Sequence, residues 1–209
     1  MKENRFAFSM IELIMVIVVL GILSATAMPN FKNDVRVGAR ENLYSAFQYT
    51  RNLALIDNRT NPIDTDWQME LWTISFSNSP EGFTYNIGSN LNHNSAFSKN
   101  ECAIDPANGK YFYNLNGDTT IDTDESPNVF LGKKFGVKDI VFEDGCNGAQ
   151  YIAFDNMGRP HINGIYSSIA LYSGVMLQDC KVTVSFLDTS IENLIFSIKK
   201  ETGFVEVVN

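Results

Sequence analysis

An acidic loop near the middle of the chain carries the residues best suited to binding a metal ion. The segment Asn114–Glu125 reads NLNGDTTIDTDE. Its oxygen-bearing residues have the spacing of the twelve-residue EF-hand loop, which binds calcium through positions 1, 3, 5, 7, 9 and 12. Those positions hold Asn114, Asn116, Asp118, Thr120, Asp122 and Glu125. The spacing predicts a calcium site in which Thr120 offers its backbone carbonyl and Glu125 binds through both carboxylate oxygens.

Two features of the same loop favour the alternative, a solvated acidic turn. Position 1 is Asn114 rather than Asp, and Thr119 stands at position 6, where Gly normally makes the sharp turn. The flanking segments do not have helical patterns, so the loop would be isolated rather than one of a pair. We expect an affinity of the weak extracellular kind, roughly 10⁻⁴ to 10⁻³ M, and no other cofactor.

The other residues that could take part in catalysis do not form a catalytic set. The two histidines, His93 and His161, lie far apart in sequence, and H-E-x-x-H, P-loop and G-x-S-x-G motifs are absent. We therefore predict that the protein is not an enzyme and that His161 lies at the surface edge of a strand. Trp67 and Trp72 could form a sugar-binding platform, but on a strand they would face opposite sides, so at least one is expected in the core.

Three cysteines occur, all beyond residue 100. Cys146 and Cys180 each precede a predicted strand, and two strand entries can lie side by side in a sheet. This favours a Cys146–Cys180 disulfide with Cys102 left as a thiol. The alternative, Cys102 with Cys146, would close the long polar loop.

The N-terminal stretch Phe8–Phe31 is apolar except for one carboxylate, Glu12, near its start. Its length predicts a helix able to cross a bilayer. A carboxylate at that depth is costly and indicates a function that needs it. The leader before it is short and carries Lys2 and Arg5, which predicts a cytoplasmic N-terminus.

The pattern Ala7-Phe8-Ser9-Met10-Ile11-Glu12-Leu13, followed by Gly21 and Pro29, resembles the class III signal of type IV pilins and type II secretion pseudopilins. The resemblance implies that a prepilin peptidase cuts between Ala7 and Phe8 and methylates the new amine. It also implies that Glu12 pairs with a neighbouring subunit in a filament. Ala7 stands where the family usually has Gly, so cleavage should at most be slower. A signal peptide and a plain membrane anchor are the alternatives.

Beyond the apolar stretch, an amphipathic helix should continue to about Asp57. Its apolar stripe consists of Val35, Ala39, Leu43, Ala46, Phe47, Thr50 and Ala54. Alternating or short apolar runs then predict strands at 67–77, 83–87, 129–131, 139–142, 150–155, 168–172, 181–186, 194–199 and 204–208. The expected fold is α+β: a long N-terminal helix with a transmembrane lower half and an amphipathic upper half, packed on an antiparallel β-sheet domain.

Two later segments bear on the subfamily. Phe154–Pro160, with the pattern F-D-x-x-G-R, resembles a turn of H-type minor pseudopilins and related minor pilins. Glu201–Val205 resembles the turn into their last strand. Each signal is weak alone, because a Gly turn between apolar runs is common in hairpins. Together they favour a minor subunit over a major one.

The chain is acidic, with a formal charge of −8. Removing Lys2, Arg5 and Glu3 with the leader leaves 14 basic and 23 acidic side chains, or −9. This charge disfavours nucleic acid as a partner. A local basic patch at Lys133, Lys134 and Lys138 would favour it again.

We expect three parts: leader 1–7, transmembrane and filament-core helix 8–28, and helix continuation with globular domain 29–209. The resemblance places the chain in the bacterial inner membrane as a single-pass protein, with its C-terminal domain in the periplasm or in a filament. Its expected function is as a structural subunit of a type II secretion pseudopilus or a type IV pilus. Expected partners are the prepilin peptidase, other subunits, the inner-membrane assembly platform, and the membrane through the helix. The alternative is a pilin-like adhesin or DNA-uptake subunit that binds a ligand through its loops.

Overall fold

A computed structural model describes residues 10–64, 66–79, 82–114 and 121–208, and for residues 25–33 it describes the backbone alone. The chain begins with one helix, α1 (Met10–Ile56), of 47 residues. At 1.5 Å per residue this helix is roughly 70 Å long. The helix is assigned without a break through Pro29, the position at which the sequence predicts a kink or a loosened turn.

The second half of α1 packs on the rest of the protein through the apolar stripe expected from its sequence. Ala39, Leu43, Phe47, Thr50 and Ala54 are all buried, and they recur every three to four residues on one face. Arg36 lies at the start of this packed half and donates to the backbone carbonyls of Glu192 and Asn193, at 3.1 and 3.3 Å. The packed part of the helix therefore begins near Arg36.

Two antiparallel four-stranded sheets form the remainder, where the sequence analysis expected one. The first has the order β2-β1-β4-β5 and the second the order β3-β6-β7-β8. The first contains β1 (Trp72–Ser79), β2 (Gly82–Gly88), β4 (Tyr151–Phe154) and β5 (Pro160–His161). The second contains β3 (Val137–Asp144), β6 (Cys180–Phe186), β7 (Leu194–Ile198) and β8 (Val205–Val208). A short helix, α2 (Leu131–Phe135), precedes β3.

Phe47 is the side chain through which α1 joins the two sheets. Its ring centroid lies 5.8 Å from that of Phe76 in β1 and 5.9 Å from that of Phe196 in β7. Phe76 also lies 5.6 Å from Phe142 in β3, so the sheets meet each other beneath the helix. Helix and sheets therefore share one hydrophobic core.

The prediction that residues 8–28 span a membrane is wrong. The single-pass inner-membrane localisation that depended on it is wrong as well. Within the described residues, no helix is both long and apolar enough to cross a membrane. The apolar run with described side chains, Met10 to Ser24, rises roughly 22 Å, whereas the bilayer core is about 30 Å thick. From Asp34 onward the helix carries charges.

Two strand predictions, 129–131 and 168–172, are also wrong, and the predicted strand 67–77 starts too early. Trp67–Glu70 forms a 3-10 turn, and β1 begins only at Trp72. Pro127–Val129 forms another 3-10 turn, which leads into α2. In the segment 168–172, the carbonyls of Ile169 and Ala170 accept hydrogen bonds from the Gln68 side chain instead of from a strand partner.

The Phe154–Pro160 segment folds into a turn around a buried carboxylate. Asp155, 1% exposed, accepts hydrogen bonds from the backbone N–H groups of Met157 and Arg159, each at 2.9 Å. It also accepts one from Nε of Arg159, at 2.8 Å. Burial alone would raise the pKa of Asp155, but the hydrogen bonds from His161 and Arg159 outweigh it and hold the pKa below its ordinary value.

This turn and the later Glu201–Val205 segment pack against each other beside α1. Arg51 donates from Nε to the Thr202 carbonyl at 2.7 Å. A Cβ on Gly203 would stand 2.2 Å from the Gly158 carbonyl oxygen, and Gly203 has a φ of +61°. The contact therefore requires glycine at 203, for space and for backbone conformation. The two segments that favoured a minor subunit form one junction between the helix and both sheets.

His161 belongs to the same junction, and its prediction as a surface residue is wrong. It is fully buried, with Nε2 3.4 Å from Asp155 Oδ2. The centroid of its ring lies 6.3 Å from that of the buried Trp67 ring, in an edge-to-face arrangement. A single histidine after a turn gives no signal in the sequence that the following strand lies inside the fold.

We predict that Asp155→Asn lowers the free energy of unfolding at pH 7 by about 3 kcal/mol, because the Arg159 charge loses its buried partner. In a chain of this size that corresponds to a fall in melting temperature of roughly 6–12 °C. Because the folded-state pKa of Asp155 is lowered, its stabilisation is present above the unfolded pKa of about 3.9 and is lost as pH falls through the folded value.

Thermal unfolding followed by circular dichroism from pH 2 to 7 measures both effects. The wild type should lose stability more steeply than Asp155→Asn at the acid end. The control is Asp34→Asn, which changes an exposed aspartate of α1 and should match the wild type throughout. Equal acid sensitivity of Asp155→Asn and wild type would contradict the assignment.

Candidate functional site

The first half of α1 exposes a continuous apolar surface, the feature of the described chain that most needs a partner. Its large apolar side chains are 45–83% exposed. They are Met10, Ile11, Leu13, Ile14, Met15, Val16, Ile17, Val18, Val19, Leu20, Ile22 and Leu23. A helix that is apolar on all sides is normally buried, and a single soluble chain rarely exposes a patch of this kind. We call these residues the apolar helix surface; an exposed apolar patch of this extent is typical of an interaction site.

Glu12 is the only ionisable residue between Met10 and Ser24, and it lies in the first turn of α1. Covering the apolar helix surface would remove water from Glu12, and a buried carboxylate must be paired or protonated. Any partner that covers this surface must therefore leave the Glu12 carboxylate paired or protonated.

The predicted processing residues, Ala7 and Phe8, lie outside the described residues. The structure therefore describes Glu12, the predicted assembly residue, and the helix that follows it, whereas the cleavage site lies outside the described residues and stays a prediction.

The acidic loop is described only at its ends. Asn116, Asp118 and Thr120 lie outside the described residues, whereas Asn114, Asp122 and Glu125 lie within them. Asn114 and Glu125 are 4% and 2% exposed. The two flanks meet at a bridge between Tyr111 and Glu125, where Tyr111 donates to the Asp124 carbonyl at 2.9 Å. The loop thus leaves and re-enters the fold at one place, as a closed ligand loop must.

Lys99 brings a positive charge to the end of this loop. Its ammonium forms an ion pair with Asp124 and lies 5.9 Å from the centroid of the Tyr111 ring. The hydrogen bond to Lys99 lowers the pKa of Asp124, and the same bond raises the pKa of Lys99. Part of the acidic charge is therefore balanced by Lys99, which would repel a cation bound nearby.

The described half of the loop fits a calcium site in part. Glu125 is buried at the loop end, where the last EF-hand ligand stands, but its Oε2 accepts the Asp122 backbone N–H at 3.1 Å. Among the described residues, no group of three or more His, Cys, Asp or Glu side chains is arranged to hold a metal. Calcium binding by Asn114, Asn116, Asp118, Thr120, Asp122 and Glu125 remains a proposal.

Cys146 and Cys180 form a disulfide with a Cα–Cα distance of 5.1 Å. The predicted pairing is confirmed, but the predicted reason is wrong, because β4, the strand that Cys146 precedes, lies in the other sheet from β6. The cysteines meet because Cys180 opens β6 and Cys146 follows the end of β3, the strand paired with β6. Cys102 is a buried thiol, and burial raises its pKa to about 12. Cys102 therefore remains protonated and unreactive at neutral pH.

Comparison with protein-family models, curated protein sequences and solved structures finds no match to this chain. The resemblance to pilins and pseudopilins accordingly rests on the residues of the N-terminal segment and of the two later turns.

We predict that millimolar calcium stabilises the protein if the acidic loop binds it. At 10 mM calcium and a Kd of about 0.1–1 mM, binding adds about 1.4–2.7 kcal/mol to the free energy of unfolding. The melting temperature should rise by roughly 3–11 °C relative to a sample in chelator. Asp118→Ala combined with Glu125→Ala should abolish that difference.

Lys99→Gln provides a sharper version of the experiment. Removing its ammonium should strengthen the calcium response, because a competing positive charge is lost. Lys138→Gln, on β3, is the control and should respond like the wild type. Identical wild-type melting in calcium and in chelator would make the loop a solvated acidic turn.

Proposed function

We propose that the protein is a structural subunit of a pilin-type filament, either a type II secretion pseudopilus or a type IV pilus. The observation that carries the proposal is the apolar helix surface, with twelve large side chains exposed and one carboxylate at its start. A filament of parallel, staggered subunits would cover such a helix on all sides, because each subunit then buries its neighbours' helices.

Glu12 has a specific role in this proposal. Cleavage between Ala7 and Phe8 creates a new amine four residues before Glu12. In a staggered pair of helices, the amine of one subunit can lie against Glu12 of the next. Each residue is about 1.5 Å along the helix axis, so a shift of a few residues is enough to align the two groups. The ion pair would offset the cost of burying either charge alone.

The folded domain fits the role of a subunit carried on the helix. The apolar helix surface and the half of α1 that packs on the sheets belong to the same helix. A force on the filament core would therefore be transmitted directly to the domain. The sequence patterns of the Phe154–Pro160 and Glu201–Val205 segments support the assignment to a minor subunit of the H type. The partners in this proposal are the prepilin peptidase, the assembly platform and neighbouring subunits.

The DNA-uptake alternative depended on a basic patch at Lys133, Lys134 and Lys138. Lys134 donates to Asn128 Oδ1 at 2.6 Å, and Asp139 stands beside Lys138 in the sequence. The domain as a whole is acidic. These features favour the structural subunit over a subunit that binds DNA.

The first test is the chemical identity of the mature N-terminus. The chain should begin at Phe8 and carry a methyl group on its amine, because the peptidase motif includes both steps. Peptide mass spectrometry of the protein from cells that express a prepilin peptidase measures this. Cells without the peptidase are the control and should yield the uncut chain. A mature N-terminus near Ala27, left by a signal peptidase, would contradict the proposal.

The second test removes the carboxylate. Glu12→Ala should leave the melting temperature of the domain unchanged, because Glu12 lies outside the core, and should reduce incorporation into filaments at least tenfold. Sheared filaments are quantified by immunoblot beside total cellular protein. Glu41→Ala, which changes an exposed glutamate on the packed half of α1, should assemble normally. Wild-type levels of Glu12→Ala in filaments would remove Glu12 from the mechanism.

A further inference from the structure

A groove separates the outer face of α1 from the loop and short helix that flank it. Its walls are α1 residues between Gly38 and Asn52, the Asp105–Ala107 turn with Phe112, and Lys134 and Phe135 of α2. Its volume is about 710 Å³, within the range of small-molecule sites. We call it the helix–loop groove. Its residues are distinct from those of the apolar helix surface, so ligand binding in the groove does not depend on filament assembly.

Aromatic rings held in place line the groove. Tyr49 packs on Phe112 with ring centroids 5.6 Å apart, and its hydroxyl donates to the Ile104 carbonyl at 3.0 Å. The Tyr44 hydroxyl accepts a hydrogen bond from Nε2 of Gln48 at 3.3 Å. Rings fixed before binding offer an apolar face to a ligand at low entropic cost.

Each charged group of the groove already has a contact within the chain. Asp105 is buried and accepts hydrogen bonds from the Ala107 N–H and the Asn128 side chain, both at 2.8 Å. Lys134 binds Asn128 and lies 5.1 Å from the centroid of the Phe135 ring. Glu41 at the rim pairs with Arg40 at 2.8 Å. These lining residues carry charges of both signs and form no cluster of one sign that would select an ionic ligand, which favours a neutral one.

Side-chain amides supply the polar contacts of the groove, from Asn42, Gln48, Asn52 and Asn128. The Asn42 side chain lies beside the buried Tyr85 hydroxyl. Its own Oδ1 is buried and has no hydrogen-bond partner among the described residues. An amide offers both donors and an acceptor, so it matches a group that also does both, such as a hydroxyl.

We propose that the helix–loop groove binds a neutral saccharide. A sugar ring has an apolar C–H face, which suits the rings of Tyr44 and Tyr49. It also carries hydroxyls around its edge, which suit the amides of Asn42, Gln48 and Asn52. Because a monosaccharide has only about a dozen non-hydrogen atoms, the expected Kd is about 1 mM.

Saturation-transfer NMR on the full chain, kept in solution by a polyoxyethylene detergent that carries no sugar, measures binding. The probes are glucose, galactose and N-acetylglucosamine, with glucuronic acid as a charged comparison. At least one neutral sugar should bind. The double variant Gln48→Ala with Asn52→Ala should weaken its binding at least tenfold. Gln178→Ala removes an exposed amide outside the groove and should bind like the wild type.

Three outcomes would overturn the proposal: no neutral probe binds at 20 mM, the double variant binds as the wild type does, or glucuronic acid binds more tightly than glucose. A melting temperature within about 2 °C of the wild type shows that the double variant is folded. Glu12→Ala should keep full sugar binding, so failure of the filament proposal and failure of this one are separate results.

Discussion

The constraint that organises this structure is that one continuous helix must satisfy two environments. From Arg36 onward, α1 supplies one wall of the core through a stripe that includes Leu43 and Phe47. Before Ser24 it supplies a surface with large apolar side chains on every side. Because a helix propagates cooperatively, the anchored half holds the exposed half in the same geometry. The apolar helix surface is therefore continuous, along one helix, with the half that forms the core.

Much of the folded domain could be predicted from the sequence, because its helix and strands follow the periodic spacing of apolar residues. The stripe of α1 and strands β2, β6 and β7 follow from apolar spacing, and the buried residues lie where that spacing puts them. The division into two sheets could not be predicted, because pairing between β3 and β6 joins segments about forty residues apart. The 3-10 turn at Trp67 also has an apolar pattern, and tertiary packing of the buried Trp67 and Met69 overrides the strand propensity there.

The candidate sites differ in the same way. The apolar helix surface and Glu12 can be recognised from the sequence, because a single carboxylate within a long apolar run is unusual. The partner charge at the acidic loop could not be recognised from the sequence, because Lys99 and Asp124 are far apart in the sequence and meet only in the folded chain. The turn that holds Asp155 likewise packs against Arg51 and Gly203 through contacts that no local pattern predicts. Electrostatic contacts between residues far apart in the sequence are thus the part of the site that only the structure reveals.

The helix–loop groove follows from how α1 and α2 meet. A Cβ on Gly38 would stand 2.9 Å from the Phe135 ring, so glycine there lets the short helix lie close against α1. That approach places Lys134 beside Asn128 and sets the width of the groove. The buried stripe of α1 cannot be altered without loosening the core, whereas the opposite face of the same turns carries Gln48 and Asn52 at little structural cost. One helix can therefore bear an association surface at its start and a small-ligand groove farther along. Substitutions in either leave the Phe47 contacts, and hence the fold, in place.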